Sequence, residues 1–174
     1  MNADLVSYRY TRDELSTLLL ILDLPPFPGV QLPPIDEAAY RAAVDSLADS
    51  GLVTPAGDRA IVDQLTALLL LSIAKSRFHI RFDAPDRAIA LWRCPLLCVM
   101  GVFPLQGECS LTPVPSLAGC DAALSGAFAR CGFPISAASP LLDGETLSAS
   151  NAEELTAVKA RLLHLASAAE SETA

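Results

Sequence analysis

Charge is scarce in this sequence of 174 residues: Asp, Glu, Lys and Arg make up 18% of it, aromatic residues 6%, and only two histidines occur. With a hydrophobic fraction of 52%, so little charge excludes the disordered class and predicts a buried core. Positive charge is scarcest. Twelve Lys and Arg against 20 Asp and Glu leave a net charge of −8 and a pI near 4.6, a field that repels phosphate backbones and anionic lipid. Nucleic acid and membrane surfaces are therefore disfavoured as partners. The closest basic grouping, Arg77, Arg81, Arg87 and Arg93, is interleaved with apolar residues, and at strand spacing Arg77 and Arg81 share a solvated face.

Long apolar runs are also missing. The longest, Leu65 to Ala74 and Pro95 to Leu105, fall short of the roughly 20 residues of a spanning helix and belong in a core. Met1 to Thr11 has no basic stretch followed by an apolar run, so no export signal is read and a cytoplasmic location is expected.

The side chains of catalysis are few. No G-x-S-x-G, G-x-x-x-x-G-K, G-x-G-x-x-G or H-E-x-x-H pattern occurs, and the five cysteines include no CxxC pair. Cys94 and Cys98 are four apart and Cys109, Cys120 and Cys131 are scattered, which reads as small buried thiols held reduced. His79 is expected on the outward side of a strand and His164 between apolar neighbours on a helix. A zinc site would have to join these two and a cysteine with no local pair to set its geometry. Asp36-Glu37 and Glu153-Glu154 read as helix-start carboxylates, and the loop triplet Asp143-Gly-Glu145 as too nonspecific for a cation site. The sequence thus predicts no catalytic, cofactor-binding or metal-ligating residue, and no enzyme.

What is present is strongly patterned. Thr11 and Glu14 form a capping box opening a helix over about 11–23, with Leu15, Leu18, Leu19 and Leu22 on its apolar face. Five prolines in Leu24 to Pro34 then forbid helix or central strand and impose an extended strap. Asp36 caps a second helix to about residue 50, stopped by Gly51. A short hairpin with a Pro-Ala-Gly-Asp turn follows, and Asp63 opens a third helix to about Lys75. Phe78, Ile80 and Phe82 alternate with Arg77, His79 and Arg81, the first of four strands expected through Pro113. Ser116 to Arg130 reads as a helix, residues 133–150 as an unassigned loop, and Asn151 with Glu154 opens a last helix that frays after Ala168.

The expected fold is α+β: three N-terminal helices in winged-helix-like order, a four-stranded antiparallel meander, then two C-terminal helices. The domain spans 1–168 with a disordered tail at 169–174.

The opening Tyr10-Thr-Arg-Asp-Glu-Leu15, the Leu-Pro-Pro segment after the first helix, the helix stop at Ala48 to Val53, and the Leu-rich helix from Asp63 leading into four strands resemble the N-terminal half of the EspG family over about residues 1–131. Members of that family are cytosolic chaperones of type VII secretion. The resemblance implies binding of a helical secreted protein near the sheet and its following helix. The larger members carry a second α/β half, whereas this sequence ends after one more helix, and no family binding residue is carried over.

Three functions are weighed. The first is a non-enzymatic chaperone or adaptor whose partner is another protein, with self-association as a homodimer compatible with the composition. It predicts an exposed apolar patch rimmed by carboxylates. Phe27, Val30 and Leu32 of the strap, with Phe103 and Leu105, are its candidate partner-binding residues; the alternative for the strap is packing over the chain's own core. The second is a winged-helix transcriptional regulator, which lacks a basic recognition helix because the third helix offers only Lys75. The third, a small enzyme, requires a deep pocket with convergent His, Cys or carboxylate groups.

Overall fold

Consecutive apolar residues in the stretches 88–92 and 97–103 put apolar side chains on both faces of the strands they form, so their sheet needs cover on both sides. A computed structural model describes residues 6–57 and 59–171. Its centre is the antiparallel meander β4 (Phe78–Ala84), β5 (Arg87–Arg93), β6 (Cys98–Pro104) and β7 (Cys109–Val114), preceded in the chain by β1 (Tyr8–Tyr10), β2 (Val53–Ala56) and β3 (Arg59–Val62). Phe78, Ile80, Phe82, Ile89, Leu91, Cys98 and Met100 point to one core; Ala90, Trp92, Val99, Phe103, Cys109 and Leu111 point to the other.

The expected fold class needs correction. The sheet has seven strands, not four, in the order β1-β7-β6-β5-β4-β8-β9, where β8 is Ile135–Ala138 and β9 is Thr146–Ala149. The strand β1 pairs with β7 (Tyr8 opposite Leu111), and the β8–β9 hairpin extends the far edge through Arg81 opposite Ala138. A 3₁₀ turn, Pro140–Leu142, joins β8 to β9, so the segment 133–150 contributes two strands to the sheet. The helices are not an N-terminal cluster either. A strand precedes α1 (Arg12–Ile21), and α1, α2 (Glu37–Asp49) and α3 (Gln64–Ala74) feed Leu15, Leu18, Leu47, Leu70 and Ile73 into the core around Trp92. On the opposite face α4 (Leu117–Phe128) and α5 (Ala152–Ser171) bury Cys120, Leu124, Leu155 and Leu162. The layout is helices, sheet, helices, and the three N-terminal helices form no separate winged-helix unit because Leu15, Leu18, Leu47, Leu70 and Ile73 join the core cluster on one face of the sheet.

The separate β2–β3 hairpin pairs Ala56 with Arg59; Asp58 of the expected turn lies outside the described residues. The last helix continues three residues beyond Ala168, where fraying is expected, and Glu170 pairs with Arg93 of β5. Residues 172–174 of the expected tail, and 1–5 of the N-terminal segment, lie outside the described residues. Among the described residues no helix is long and apolar enough to cross a membrane.

Candidate functional site: an apolar groove between helix α1 and the proline strap

Helix α1 starts as its sequence dictates. The Glu14 amide donates to Thr11 Oγ1 at 3.1 Å and the Thr11 amide to Glu14 Oε2 at 2.7 Å, a reciprocal capping box. Its other end is less expected. Asp23 takes the left-handed conformation (φ 52°) that glycine usually supplies, while the Leu24 amide reaches back to the Leu19 carbonyl at 2.9 Å and the Asp23 amide to that of Leu20 at 3.2 Å. These are the two bonds of a Schellman stop, which brings Leu24 over Leu19. Both line the groove.

The strap that follows runs back across the sheet. Its prolines carry no N–H, so its polar demand is concentrated in carbonyls, and each pinned carbonyl meets a side chain from elsewhere. Trp92 Nε1 donates to the Pro28 carbonyl at 2.8 Å, Arg81 Nη1 to that of Gly29 at 2.7 Å, and Ser16 Oγ to that of Pro33 at 3.1 Å. Phe27 to Val30 closes a turn, the Val30 amide donating to the Phe27 carbonyl at 3.1 Å, with Pro28 second and Gly29 third at φ 76°. A left-handed third position is what a type II turn requires. Asp83 holds the Arg81 guanidinium from its other side, with Nε and Nη2 both donating to Oδ1 at 2.8 and 2.6 Å.

This geometry sorts the five residues expected to bind a partner. Phe27 and Val30 are buried inside the chain, and so is Phe103; Phe27 and Phe103 pack against Trp92 at ring-centroid distances of 5.5 and 6.0 Å. Burying side chains of this size stabilises the fold by about 1.5–3 kcal/mol each. They offer no free surface. Leu32 is half-buried and lines the groove. Leu105 is 71% exposed and sits elsewhere, with Val30 and Phe103, at a charged cleft containing Arg12, Arg81 and Asp83. The face expected to be solvated around Arg77 and Arg81 is also corrected: the strap covers it at Arg81 and at His79.

Between α1 and the strap lies an open, largely apolar groove of about 370 Å³, walled by Leu19, Leu20 and Leu24 on one side and by Leu32, Pro34 and Ile35 on the other. Leu20, on the α1 wall of the groove, is 59% exposed. Other exposed apolar side chains include Ile61 on β3, Leu65 and Leu68 on one face of α3, Leu96, Leu105, and Phe133, which lines a cleft of about 350 Å³ with Phe128 and Leu155. Asp23 and Asp36 adjoin the groove-lining Leu24 and Ile35 in sequence, and both are exposed. The sequence signal for the groove was present in the prolines; what it lacked was the Schellman turn that faces the two segments toward each other and the exposure of Leu20.

A second cleft, about 540 Å³, separates the start of α4 from α5 and contains Arg93, Asp121, His164 and Glu170. Its charges are spent internally, Arg93 Nε on Glu170 and Asp121 on Lys159 at 2.9 Å. His79 lies under the strap on one face of the sheet and His164 on α5 at the other, so the two histidines do not meet. Among the described residues no group of three or more His, Cys, Asp or Glu could hold a metal. Burial pushes the Cys94 thiol up to about 12 and raises Cys109 and Cys131 as well, the opposite of an activated nucleophile.

No family model matches the chain, and no curated protein matches it in sequence. Among solved structures the fold is similar to that of the Mycobacterium tuberculosis type VII secretion system chaperone EspG5, determined in complex with a PE25-PPE41 dimer, with a TM-score of 0.54 over 74% of this chain. Identity is 13% and the match covers 53% of the chaperone chain, so this chain spans about half of that protein's length and shares its fold.

Proposed function

We propose that the chain is a non-enzymatic chaperone or adaptor, acting in the cytoplasm, that holds a helical protein substrate of a type VII-like secretion system. One observation carries the reading: its fold is similar to that of a secretion chaperone solved with a bound client dimer. The open apolar groove supports it, since surface complementarity needs apolar area outside the core. The buried thiols of raised pKa give no comparable support to covalent catalysis. Affinity capture on the tagged full chain from a native extract, then reconstitution with each captured protein, tests the proposal. A stoichiometric complex with a helical secreted protein is the expected result. Capture of nothing, or retention on DNA alone, overturns it.

A further inference from the structure

We propose that the groove between α1 and the proline strap is the client seat, and that its occupant is an amphipathic α-helix whose apolar stripe is flanked by Lys or Arg. This rests on the protein-binding reading and goes further by naming the surface and the chemistry of what it takes.

The helical form follows from what the groove cannot donate. An extended peptide binds by adding backbone hydrogen bonds to a sheet edge. Here one wall is a helix whose amides are used internally and the other is a strap in which prolines at 25, 26, 33 and 34 carry no N–H. The Pro33 carbonyl is already filled by Ser16 Oγ. A polyproline segment would need aromatic walls, and the lining has no aromatic residue. Only a segment that satisfies its own backbone can lie on leucine and proline without stranding polar groups, and that segment is a helix. Its anchors at spacing i, i+3/i+4 and i+7 suit an open trough lined by leucine, isoleucine and proline side chains.

The charge of the occupant follows from the rim. Residues 11–52, which build α1, the strap and α2, carry seven carboxylates against Arg12 and Arg41, although the whole chain carries 20 against 12. Arg12 Nη2 donates to the Pro104 carbonyl at 2.8 Å and Arg41 pairs with Glu37 one turn away, so the two cations offset only part of the seven negative charges and the segment stays net acidic. Asp23 and Asp36, both exposed, stand next in sequence to the groove-lining Leu24 and Ile35. A helix bearing carboxylates beside its apolar stripe would be repelled on approach, and a basic one steered in.

The test uses the full chain and three fluorescein-labelled synthetic peptides of equal length: a leucine-striped helix flanked by Lys, the same helix flanked by Glu, and a scrambled Lys peptide with its stripe broken. Fluorescence anisotropy should show the Lys-flanked helix binding at least tenfold tighter than either control, with affinity falling several-fold between 50 and 300 mM NaCl. Leu20→Gln, an exposed helix position that tolerates the change, should weaken the Lys-flanked helix about tenfold, and Leu96→Gln, at a 91% exposed residue outside the groove, should leave it unchanged. Equal binding of Lys- and Glu-flanked helices, or indifference to Leu20→Gln, overturns the inference. So does a chain that sediments as a dimer dissociated by Leu20→Gln, which would make a second copy the occupant. If a captured native client binds the wild type and the Leu20→Gln chain alike, the seat is elsewhere and the inference fails while the chaperone reading stands.

Discussion

The imidazole of His79 occupies the space into which a side chain at Gly29 would project: a Cβ built there would lie 2.5 Å from Cδ2 and 2.7 Å from Nε2 of His79. The strap can therefore lie flat on β4 only because residue 29 has no side chain and can hold φ at 76°. Gly29→Ala should cost about 2–4 kcal/mol, combining the left-handed backbone penalty with overpacking. In a His79→Ala background the same substitution should cost only the backbone share, about 1–2 kcal/mol. Urea denaturation of the four proteins measures this cycle, and an equal cost in both backgrounds would show that strap and imidazole are not in contact.

The same contact makes stability depend on pH. Burial, with a smaller contribution from the Arg81 charge, lowers the His79 pKa below the ordinary imidazole value of about 6.5. Below that value the unfolded chain binds the proton more readily than the folded one, so stability rises with pH. The contribution is fully present above about pH 6.5 and is lost as pH falls toward the lower folded value. Melting temperatures at pH 7.5 and 5.5 should differ more in the wild type than in His79→Gln. An identical difference in both would mean that His79 titrates as it does in the unfolded chain.

Local signals in the sequence located most elements, and long-range ones were hidden. The capping box at Thr11, the caps at Asp36, Asp63 and Asn151 and the stop at Gly51 are all written within five residues, and the period-two run from Phe78 is unambiguous. The strand β1 has three residues, too few for a period, and β8 and β9 have four each, rich in Ala and Ser rather than β-branched side chains. Helix α1 ends at an aspartate in a position where the usual signal is glycine. The five prolines announced an extended strap but not which side of it faces inward. That was decided by Trp92, 64 residues away, whose indole finds its acceptor at Pro28. Of the residues expected to bind a partner, Leu32 alone lines the groove, because Phe27 and Val30, at the two ends of the strap's turn, are buried as its own anchors.

Trp92 should accordingly be the residue on which the strap depends most. Replacement by Phe deletes the Nε1–H that satisfies the Pro28 carbonyl and leaves a void between Phe27 and Phe103. The unpaired acceptor and the void together should cost at least about 2 kcal/mol. Limited proteolysis should then cut within residues 24–34 before any other site. Unchanged stability, with no new cleavage in that segment, would remove the strap's anchoring role from Trp92.

Thiol reactivity offers an independent check of the core. Cys94, Cys98, Cys109 and Cys120 are fully buried and only Cys131 is half-buried. A hydrogen bond with Cys98 and burial push Cys120 up; the same bond lowers Cys98, but its lack of exposure denies it to reagents. At pH 8 the native protein should yield at most one thiol to Ellman's reagent within minutes, that of Cys131, and all five in guanidinium. Rapid modification of two or more in native buffer would mean that the sheet faces open far more often than their packing implies.

The clasp between α4 and α5 sets burial against charge. Lys159, buried along its stem with a side chain 11% exposed, donates to Asp121 Oδ1 at 2.9 Å and to Ser125 Oγ at 2.7 Å, whereas the Asp121 side chain is 61% exposed. Because Asp121 faces water, the attraction itself is screened and contributes little. What matters is that the ammonium has left water and must keep its acceptors. Asp121→Ala should therefore destabilise by about 1–3 kcal/mol, stranding the charge with one hydroxyl. Lys159→Met retains the apolar stem, deletes the charge and leaves Asp121 solvated, and should cost less than about 1 kcal/mol. The order of the two urea midpoints decides it: if Lys159→Met is the more damaging, the ion pair itself stabilises the clasp and desolvation is the smaller effect.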